Sequence, residues 1–219
     1  MDETSVAIDD IGSAPGAMAG KRTATAAVLI AGPTASGKSA LAMEVARRTG
    51  GVVVNADSMQ VYRELSILTA RPTAADEALV PHRLYGYRPA AEPHTVALWL
   101  DDVATLLADL AHEGRPAIVV GGTGLYFTAL TAGLSEVPAI PPEIRARWRS
   151  EAAVRPAAAL HADLTARDPE TAARLGVADT QRIVRALEVV EATGRPLASF
   201  QQRRIAPVLP LAAVAAAVV

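Results

Sequence analysis

The eight residues from Gly32 to Ser39 constrain this chain more strongly than any other segment. They match the phosphate-binding pattern Gly-x-x-x-x-Gly-Lys-Ser/Thr at every fixed position. An apolar run from Ala26 to Ala31 precedes them and predicts a buried parallel strand. Apolar residues at helical spacing follow, from Ala40 to Arg48. This order of strand, loop and helix is the setting in which such a loop holds a diphosphate or triphosphate.

The loop offers three kinds of group to a phosphate. Its backbone N–H groups and the start of the following helix favour an anion. Lys38 adds a full positive charge, and the Ser39 hydroxyl is a candidate ligand for Mg²⁺. The pattern does not specify which polyphosphate is bound. The diphosphate- or nucleotide-binding residues predicted here are Gly32, Pro33, Thr34, Ala35, Ser36, Gly37, Lys38 and Ser39.

Further apolar runs predict a layered α/β core over residues 25–137. Val52 to Val54 and Pro116 to Val120 are typical of buried strands, and Thr95 to Glu113 has the periodicity of a long amphipathic helix. Alternating strands and helices predict a parallel sheet flanked by helices, as in P-loop NTPases.

Beyond Pro138 the pattern becomes helical, which predicts an inserted arginine-rich domain over residues 138–205. Helices are expected to open at Pro141-Pro142 and at Asp168-Pro169, and a third is expected from Asp179 to Thr193.

The two ends of the chain carry separate expectations. Residues 206–219 are expected to return to the core, with Leu209 to Val219 as a fully buried central strand. The chain is expected to end early and to be shorter than its relatives. Residues 1–24 are rich in Ala, Gly and Ser and are expected to form a disordered extension.

Charge and composition exclude some classes of protein. The chain has no cysteine, which excludes disulfides, thiolate zinc sites and a cysteine nucleophile. No apolar run reaches the roughly 18 residues of a membrane span. The N-terminus lacks the features of a signal peptide. We therefore expect a cytoplasmic protein that does not associate with membranes.

Arginine is concentrated in the helical segment. Residues 140–205 hold 11 arginines against 8 Asp and Glu residues, in a chain whose net charge is −2. Arginine suits bidentate contacts to phosphate groups, which points to a nucleic acid. A solvated helical face in an arginine-rich protein accounts for the same pattern, and the charge count leaves both interpretations open.

Two polar residues follow the predicted strands. Asp57 follows the second strand and Thr123 follows the third, and the carboxyl ends of parallel strands line the ligand crevice of such a sheet. Asp57 is a candidate general base or metal ligand, and its alternative role is a helix cap. Thr123 is a candidate ligand contact or a cap for a helix starting near Leu125.

Three other side chains have structural alternatives. We interpret His82 as structural and Trp99 as a core residue. Trp148 lies among arginines, so that stacking on a base and packing in a helical domain both remain open.

Several motifs in order closely resemble the tRNA dimethylallyltransferase (tRNA isopentenyltransferase) family. The resemblance extends from about Ala26 to about Gln202. The motifs that carry it are Gly32 to Ser39, Asn55 to Leu65, Thr69 to Pro72, Pro81 to Leu84, Val119 to Tyr126 and Thr180 to Val189.

The resemblance implies a reaction and its site residues. A dimethylallyl group moves from dimethylallyl diphosphate to N6 of adenosine 37 in tRNA, with Mg²⁺ bound. The loop with Lys38 then holds the donor diphosphate, Asp57 is the general base and Thr123 belongs to the catalytic site. The substrate is the tRNA anticodon stem-loop, and we expect a monomer. The implied tRNA contacts are Asp57, Ser58, Met59, Gln60, Thr123, Arg145, Gln181, Arg182, Ile183, Val184 and Arg185.

Two other functions remain alternatives at this point. A P-loop kinase for a small molecule or nucleotide also carries an acid at a strand end and an arginine-bearing lid. A shortened chain that binds tRNA or diphosphate without turnover is the second alternative.

Overall fold

The computed structural model describes residues 27–201, 204–210 and 214–219. These residues form two compact units. The first comprises the described residues up to Gly133 together with those from Pro207 onward, and the second runs from Leu134 to Ala206. The sequence had placed these divisions at residues 138 and 205. The extension predicted for residues 1–24 lies outside the described residues.

A five-stranded sheet lies at the centre of the first unit, and every adjacent pair of strands is parallel. The strand order is β3-β2-β4-β1-β5. The predicted α/β fold is therefore confirmed. Every residue of β2 and of β4 is buried, because these strands are rich in valine and isoleucine and lie inside the sheet. The strands are β1 (Ala27–Ala31), β2 (Val52–Asn55), β3 (His82–Arg83), β4 (Ala117–Gly121) and β5 (Val214–Val218).

Local signals fix the ends of the helices in this unit. Helix α1 ends where Gly50 adopts a left-handed conformation, with φ of 68°. Helix α2 begins with a capping box between Thr73 and Asp76. Thr95 caps α3 by accepting a hydrogen bond from the N–H of Leu98. The helices are α1 (Lys38–Thr49), α2 (Ala74–Leu79), α3 (Val96–His112) and α4 (Gly124–Ala132), with a 3₁₀ turn at Arg63–Leu65.

The second unit is helical. The expected helix starts at Pro142 and after Asp168 are confirmed, and Asp179 caps α8 by accepting from the N–H of Arg182. Helices α6 and α9 were not predicted. The helices are α5 (Pro142–Val154), α6 (Ala157–Arg167), α7 (Pro169–Ala172), α8 (Thr180–Thr193) and α9 (Leu197–Gln201).

The C-terminal strand differs from the expectation. Among the described residues β5 begins at Val214, pairs with β1 alone and contains no buried residue. It was expected to be a fully buried central strand from Leu209. Alanine and valine are compatible with either an inner or an edge position, so the composition could not reveal that β5 lies at the sheet edge.

Both tryptophans belong to hydrophobic cores. Trp99 is completely buried, stacks on Tyr126 with ring centroids 4.2 Å apart, and donates from Nε1 to the carbonyl of Asn55. Its predicted core role is confirmed. Trp148 is 3% exposed in the helical core, and its Nε1 donates to Glu191. Stacking of Trp148 on a nucleic-acid base is therefore excluded in this conformation.

Candidate functional site

The phosphate-binding loop connects β1 directly to α1. Two residues in it have positive φ, Ala35 at 65° and Gly37 at 85°, and the turn they make ends at the first residue of α1. Lys38 Nζ donates to the carbonyl of Pro33 at 2.8 Å, within the loop. The first turn of α1 has no acidic side chain, so the helix N-terminus keeps its preference for an anion.

One side chain of the loop has an unmet hydrogen-bonding capacity. Ser36 Oγ is buried and has no hydrogen-bond partner among the described residues. Buried hydroxyl groups are ordinarily hydrogen-bonded, and their exceptions often mark the place of a ligand. The orphaned hydroxyl therefore fits a loop built to receive phosphate oxygens.

Asp57 is held in a tight turn after β2. Its Oδ1 accepts a hydrogen bond from the backbone N–H of Met59 at 2.8 Å, two residues further on. No α-helix begins at this point, so the hydrogen bond belongs to a turn and Asp57 is not a helix cap. Among the described residues Oδ1 accepts this hydrogen bond and Oδ2 accepts none. One carboxylate oxygen is therefore available for a proton or a metal ion.

The segment after β4 brings three strand ends together. A Cβ built on Gly121 would lie 2.2 Å from the carbonyl oxygen of Ala56, so no side chain fits there. A Cβ on Gly122 would lie 3.4 Å from the carbonyl oxygen of Gly32 and 3.8 Å from Oδ2 of Asp57. The phosphate loop, the candidate base and the Gly-Gly turn thus meet at the carboxyl edge of the sheet.

Thr123 occupies the N-cap position of α4, yet its side chain makes no capping hydrogen bond. Its Oγ1 instead accepts from the backbone N–H of Ser58 at 3.0 Å and lies 3.4 Å from Ser58 Oγ. The capping alternative from the sequence is therefore wrong. Thr123 ties the turn after β4 to the segment that carries Asp57.

A small cavity of about 90 Å³ lies beside the end of the phosphate loop. Gln60 lines it, and its side-chain amide donates to the carbonyl of Thr69 at 2.7 Å. His82 also lines it, with Nδ1 2.9 Å from the carbonyl oxygen of Val80, in keeping with a structural role. The remaining lining residues are Ser39, Met43, Val53, Ala70, Arg71, Pro72, Asp76, Tyr85 and Val120.

Two tyrosines near Asp57 remain protonated at neutral pH. Burial, together with Tyr62 and the carboxylate of Asp57, raises the pKa of Tyr126 to about 12. Burial and the same carboxylate raise the pKa of Tyr85 well above its usual range. Neither phenol is therefore available as a base at neutral pH.

Side-chain oxygens of the type that binds Mg²⁺ are present on Ser39 and on Asp57. Among the described residues no group of three or more His, Cys, Asp and Glu side chains could enclose a metal ion. Mg²⁺ in phosphate sites is commonly bound by one or two protein oxygens plus phosphate oxygens and water. An exposed Ser39 hydroxyl at the start of α1 and an open oxygen on Asp57 supply oxygens of this type.

The helical unit contains an arginine-lined cavity of about 800 Å³ between α5 and α8. Three arginines line it, Arg149 from α5 with Arg182 and Arg185 from α8, and Thr180 and Gln181 at the start of α8 complete its polar side. Positive charge therefore dominates the cavity, with Glu188 as its acidic member.

The predicted tRNA contacts do not all present side chains to solvent. Ile183 is completely buried and Val184 is 9% exposed, and both pack in the helical core. Gln181, Arg182 and Arg185 line the arginine cavity, whereas Arg145 is exposed on α5 and does not. Arg149 was not assigned to this site from the sequence, although it lies on the arginine-bearing helix α5.

None of the helices in the described part of the chain combines the length and apolar character needed to cross a bilayer.

The fold and the site define a P-loop α/β protein with a carboxylate and a Gly-Gly turn beside its phosphate loop. The sequence matches two family profiles, IPP transferase over residues 60–218 and isopentenyl transferase over residues 25–86. The chain therefore belongs to the IPP transferase family.

Individual relatives agree with this assignment. The chain is 57% identical over 190 residues to the tRNA dimethylallyltransferase of Methylocella silvestris, covering 87% of this chain and 63% of that protein. It is 58% identical over 183 residues to the protein of the same name from Azorhizobium caulinodans, covering 84% and 59%. The chain thus spans about 60% of the length of these relatives.

A solved structure shares the fold. A eukaryotic dimethylallyltransferase, crystallised while acting on tRNA, superposes with a TM-score of 0.72 at 23% identity. The match covers 88% of this chain and 47% of that chain.

Proposed function

We propose that this chain transfers a dimethylallyl group from dimethylallyl diphosphate to N6 of adenosine 37 in tRNA. The proposal rests on one observation: the phosphate loop, at Gly32, and Oδ2 of Asp57 both lie next to Gly122. The names of the relatives support the same reaction, and the part of their length that this chain spans contains both features.

In this proposal the loop holds the diphosphate of the donor. The bond between C1 of the dimethylallyl group and the diphosphate oxygen breaks, and negative charge develops on that oxygen. Lys38 and the N–H groups of the loop stabilise this charge, which lowers the barrier to departure. The buried hydroxyl of Ser36 gains a phosphate oxygen as its missing partner.

Asp57 acts on the other substrate. As N6 of adenine forms its bond to C1, the amine loses a proton, and Oδ2 of Asp57 is the oxygen free to accept it. Its Oδ1 remains bound to the N–H of Met59, which keeps the carboxylate oriented. The adenine must leave its stack to reach this point, as in other enzymes that modify bases.

Mg²⁺ is part of the proposal, with Ser39 as its protein ligand. When bound, the ion would neutralise charge on the diphosphate and help it to leave.

Transfer fits the site better than hydrolysis by water. A P-loop hydrolase commonly has a magnesium-binding acid at the end of a later strand. Here β4 ends in Gly121, where the backbone of Ala56 lies too close for any side chain. The acid follows β2 instead, where it meets an incoming nucleophile.

The helical unit is proposed to contact the RNA backbone. Arg149, Arg182 and Arg185 line one cavity, and guanidinium groups suit bidentate contacts to phosphates. The partner is then the anticodon stem-loop. A monomeric state and a cytoplasmic location complete the proposal, and the absence of cysteine is compatible with that location.

The test is direct. The chain is incubated with Mg²⁺, labelled dimethylallyl diphosphate and an anticodon stem-loop RNA, and label on the RNA is counted. Label that disappears with Asp57→Ala, while donor binding persists, is the expected result. ATP turnover without label would contradict the proposal and favour a kinase. Donor binding without label in the wild type would indicate a binding protein without turnover.

A further inference from the structure

We infer that Asn55 is a positioning residue that fixes the backbone of Asp57 for proton abstraction, an inference that rests on the proposed function. Asn55 is the last residue of β2 and is completely buried. The three residues before it in the strand are valines. A primary amide in this place is conspicuous, because buried polar groups are retained only where their hydrogen bonds are satisfied.

The Asn55 side chain binds both main-chain polar groups of Asp57. Its Oδ1 accepts from the N–H of Asp57 at 2.9 Å, and its Nδ2 donates to the carbonyl of Asp57 at 3.0 Å. The second hydrogen of Nδ2 is donated to the carbonyl of Leu84 at 3.0 Å. A single side chain thus holds the peptide groups on both sides of the Asp57 Cα.

Two other parts of the fold, α3 and the segment after β3, form hydrogen bonds with Asn55. Its carbonyl accepts from the indole N–H of Trp99, which is completely buried in α3. Leu84, whose carbonyl accepts from Nδ2, has a φ of 62°, a left-handed conformation that is uncommon for leucine. The carbonyl of Leu84, a residue with this unusual backbone conformation, binds Asn55. The hydrogen bonds of Asn55 therefore connect β2 with the segment after β3.

Only a side-chain amide of the length of asparagine can form these three hydrogen bonds. Aspartate has the same shape but carries no N–H to donate to two carbonyl oxygens, and serine is too short to bind both groups of Asp57. With its backbone fixed, Asp57 presents Oδ1 to Met59 and leaves Oδ2 beside Gly122. Displacing a reacting group by about 1 Å can reduce a rate about 100-fold, so this fixation has kinetic consequences.

The experiment compares Asn55→Ala and Asn55→Ser with Val54→Ala. Val54 is the preceding residue in β2 and is also completely buried, so its truncation destabilises the strand without removing the amide. We expect the Asn55 variants to lower kcat for transfer to the RNA by about 10- to 100-fold with donor affinity changed less than about twofold. Val54→Ala should lower Tm and retain most of kcat.

A second arm separates positioning from general structural support. In an Asp57→Ala background, whose residual transfer is followed in long single-turnover reactions with excess enzyme, Asn55→Ala should cost little further activity, because the residue that it positions is absent. Losses that multiply in the double variant would overturn the inference. A loss of kcat in Val54→Ala as large as that in Asn55→Ala would overturn it as well.

A third arm does not depend on turnover. Amide hydrogen exchange across residues 56–60 should accelerate in the Asn55 variants, while exchange in α1 and in the helical unit stays at the wild-type rate. Unchanged exchange in residues 56–60 would overturn the inference. A wild-type chain that transfers no label contradicts the proposed function, and the exchange result then decides alone whether Asn55 holds the Asp57 segment.

Discussion

Ser58 donates its backbone N–H to Oγ1 of Thr123, at 3.0 Å, across 65 positions of sequence. This bond joins the turn after β2 to the turn after β4. Removing the hydroxyl leaves a half-buried N–H without a partner, which costs about 1 kcal/mol or somewhat more. We therefore expect Thr123→Val to lower the free energy of unfolding by about that amount, and to reduce transfer because Asp57 adjoins Ser58.

Thr123→Ser is the matched control, because it keeps the hydroxyl. Denaturant titration measures the stability of both variants. A Thr123→Val chain with wild-type stability and wild-type transfer would show that the hydroxyl has no part in joining the two turns.

Gly122→Ala should fill the space beside the candidate base. The added Cβ would stand 3.8 Å from Oδ2 of Asp57 and 3.4 Å from the carbonyl of Gly32, which are ordinary contact distances. We expect a folded chain with wild-type Tm and a rate of transfer at least about 10-fold lower, since the methyl group blocks the nucleophile. Gly124→Ala is the control, because its Cβ would meet nothing within 4 Å. Equal rates for the two variants would contradict this geometry.

Lys38→Ala should weaken binding of inorganic diphosphate. Lys38 Nζ lies 2.8 Å from the Pro33 carbonyl and is the charged donor of the loop. A charge-assisted hydrogen bond contributes about 1.5–3 kcal/mol, so the Kd should rise about 10- to 100-fold. Calorimetry measures this value. The control is Arg47→Ala, at the far end of α1, where the side chain pairs with Glu44. An unchanged Kd for diphosphate in Lys38→Ala would contradict the assignment of this loop to donor binding.

Arg149→Ala should weaken RNA binding and lower its dependence on salt. Arg149 lines the cavity with Arg182 and Arg185, and among the described residues it forms no salt bridge. The loss of one phosphate contact reduces the slope of log K against log salt by about 0.7 to 0.9. Arg174→Ala is the control, because Arg174 lies outside this cavity and pairs with Glu170 at 2.6 Å. A slope unchanged by Arg149→Ala would exclude that contact.

Stability should depend on pH through Asp102. Partial burial works to raise the pKa of this carboxyl group, but hydrogen bonds from Arg88 and Tyr87 prevail and hold it below its usual range. A lowered pKa stabilises the folded state above the unfolded pKa, and this contribution is lost as pH falls through the folded pKa.

Asp102→Asn should therefore cost about 1–2 kcal/mol at neutral pH, and the difference from wild type should shrink below about pH 4. Denaturant titration across pH measures this, with the exposed neighbour Asp101→Asn as the control. A difference that is independent of pH would assign the loss to packing.

Much of the fold could be predicted from the sequence because the signals are local. The loop from Gly32 to Ser39 requires a strand before it and a helix after it, and both are present. The valine-rich runs predicted β2 and β4 to within one residue, since such runs are buried whatever surrounds them. Asp179 and the proline at 142 marked helix starts for reasons of hydrogen bonding and φ.

The sequence by itself therefore determined the class of fold, the phosphate loop and the family resemblance, because each depends on residues adjacent in the chain. Tertiary structure decided that Thr123 binds Ser58 and does not cap a helix. It also brought Asn55, Leu84 and Trp99 into one hydrogen-bonded cluster. These relationships depend on the register of distant strands and on the packing of α3, which no local pattern encodes.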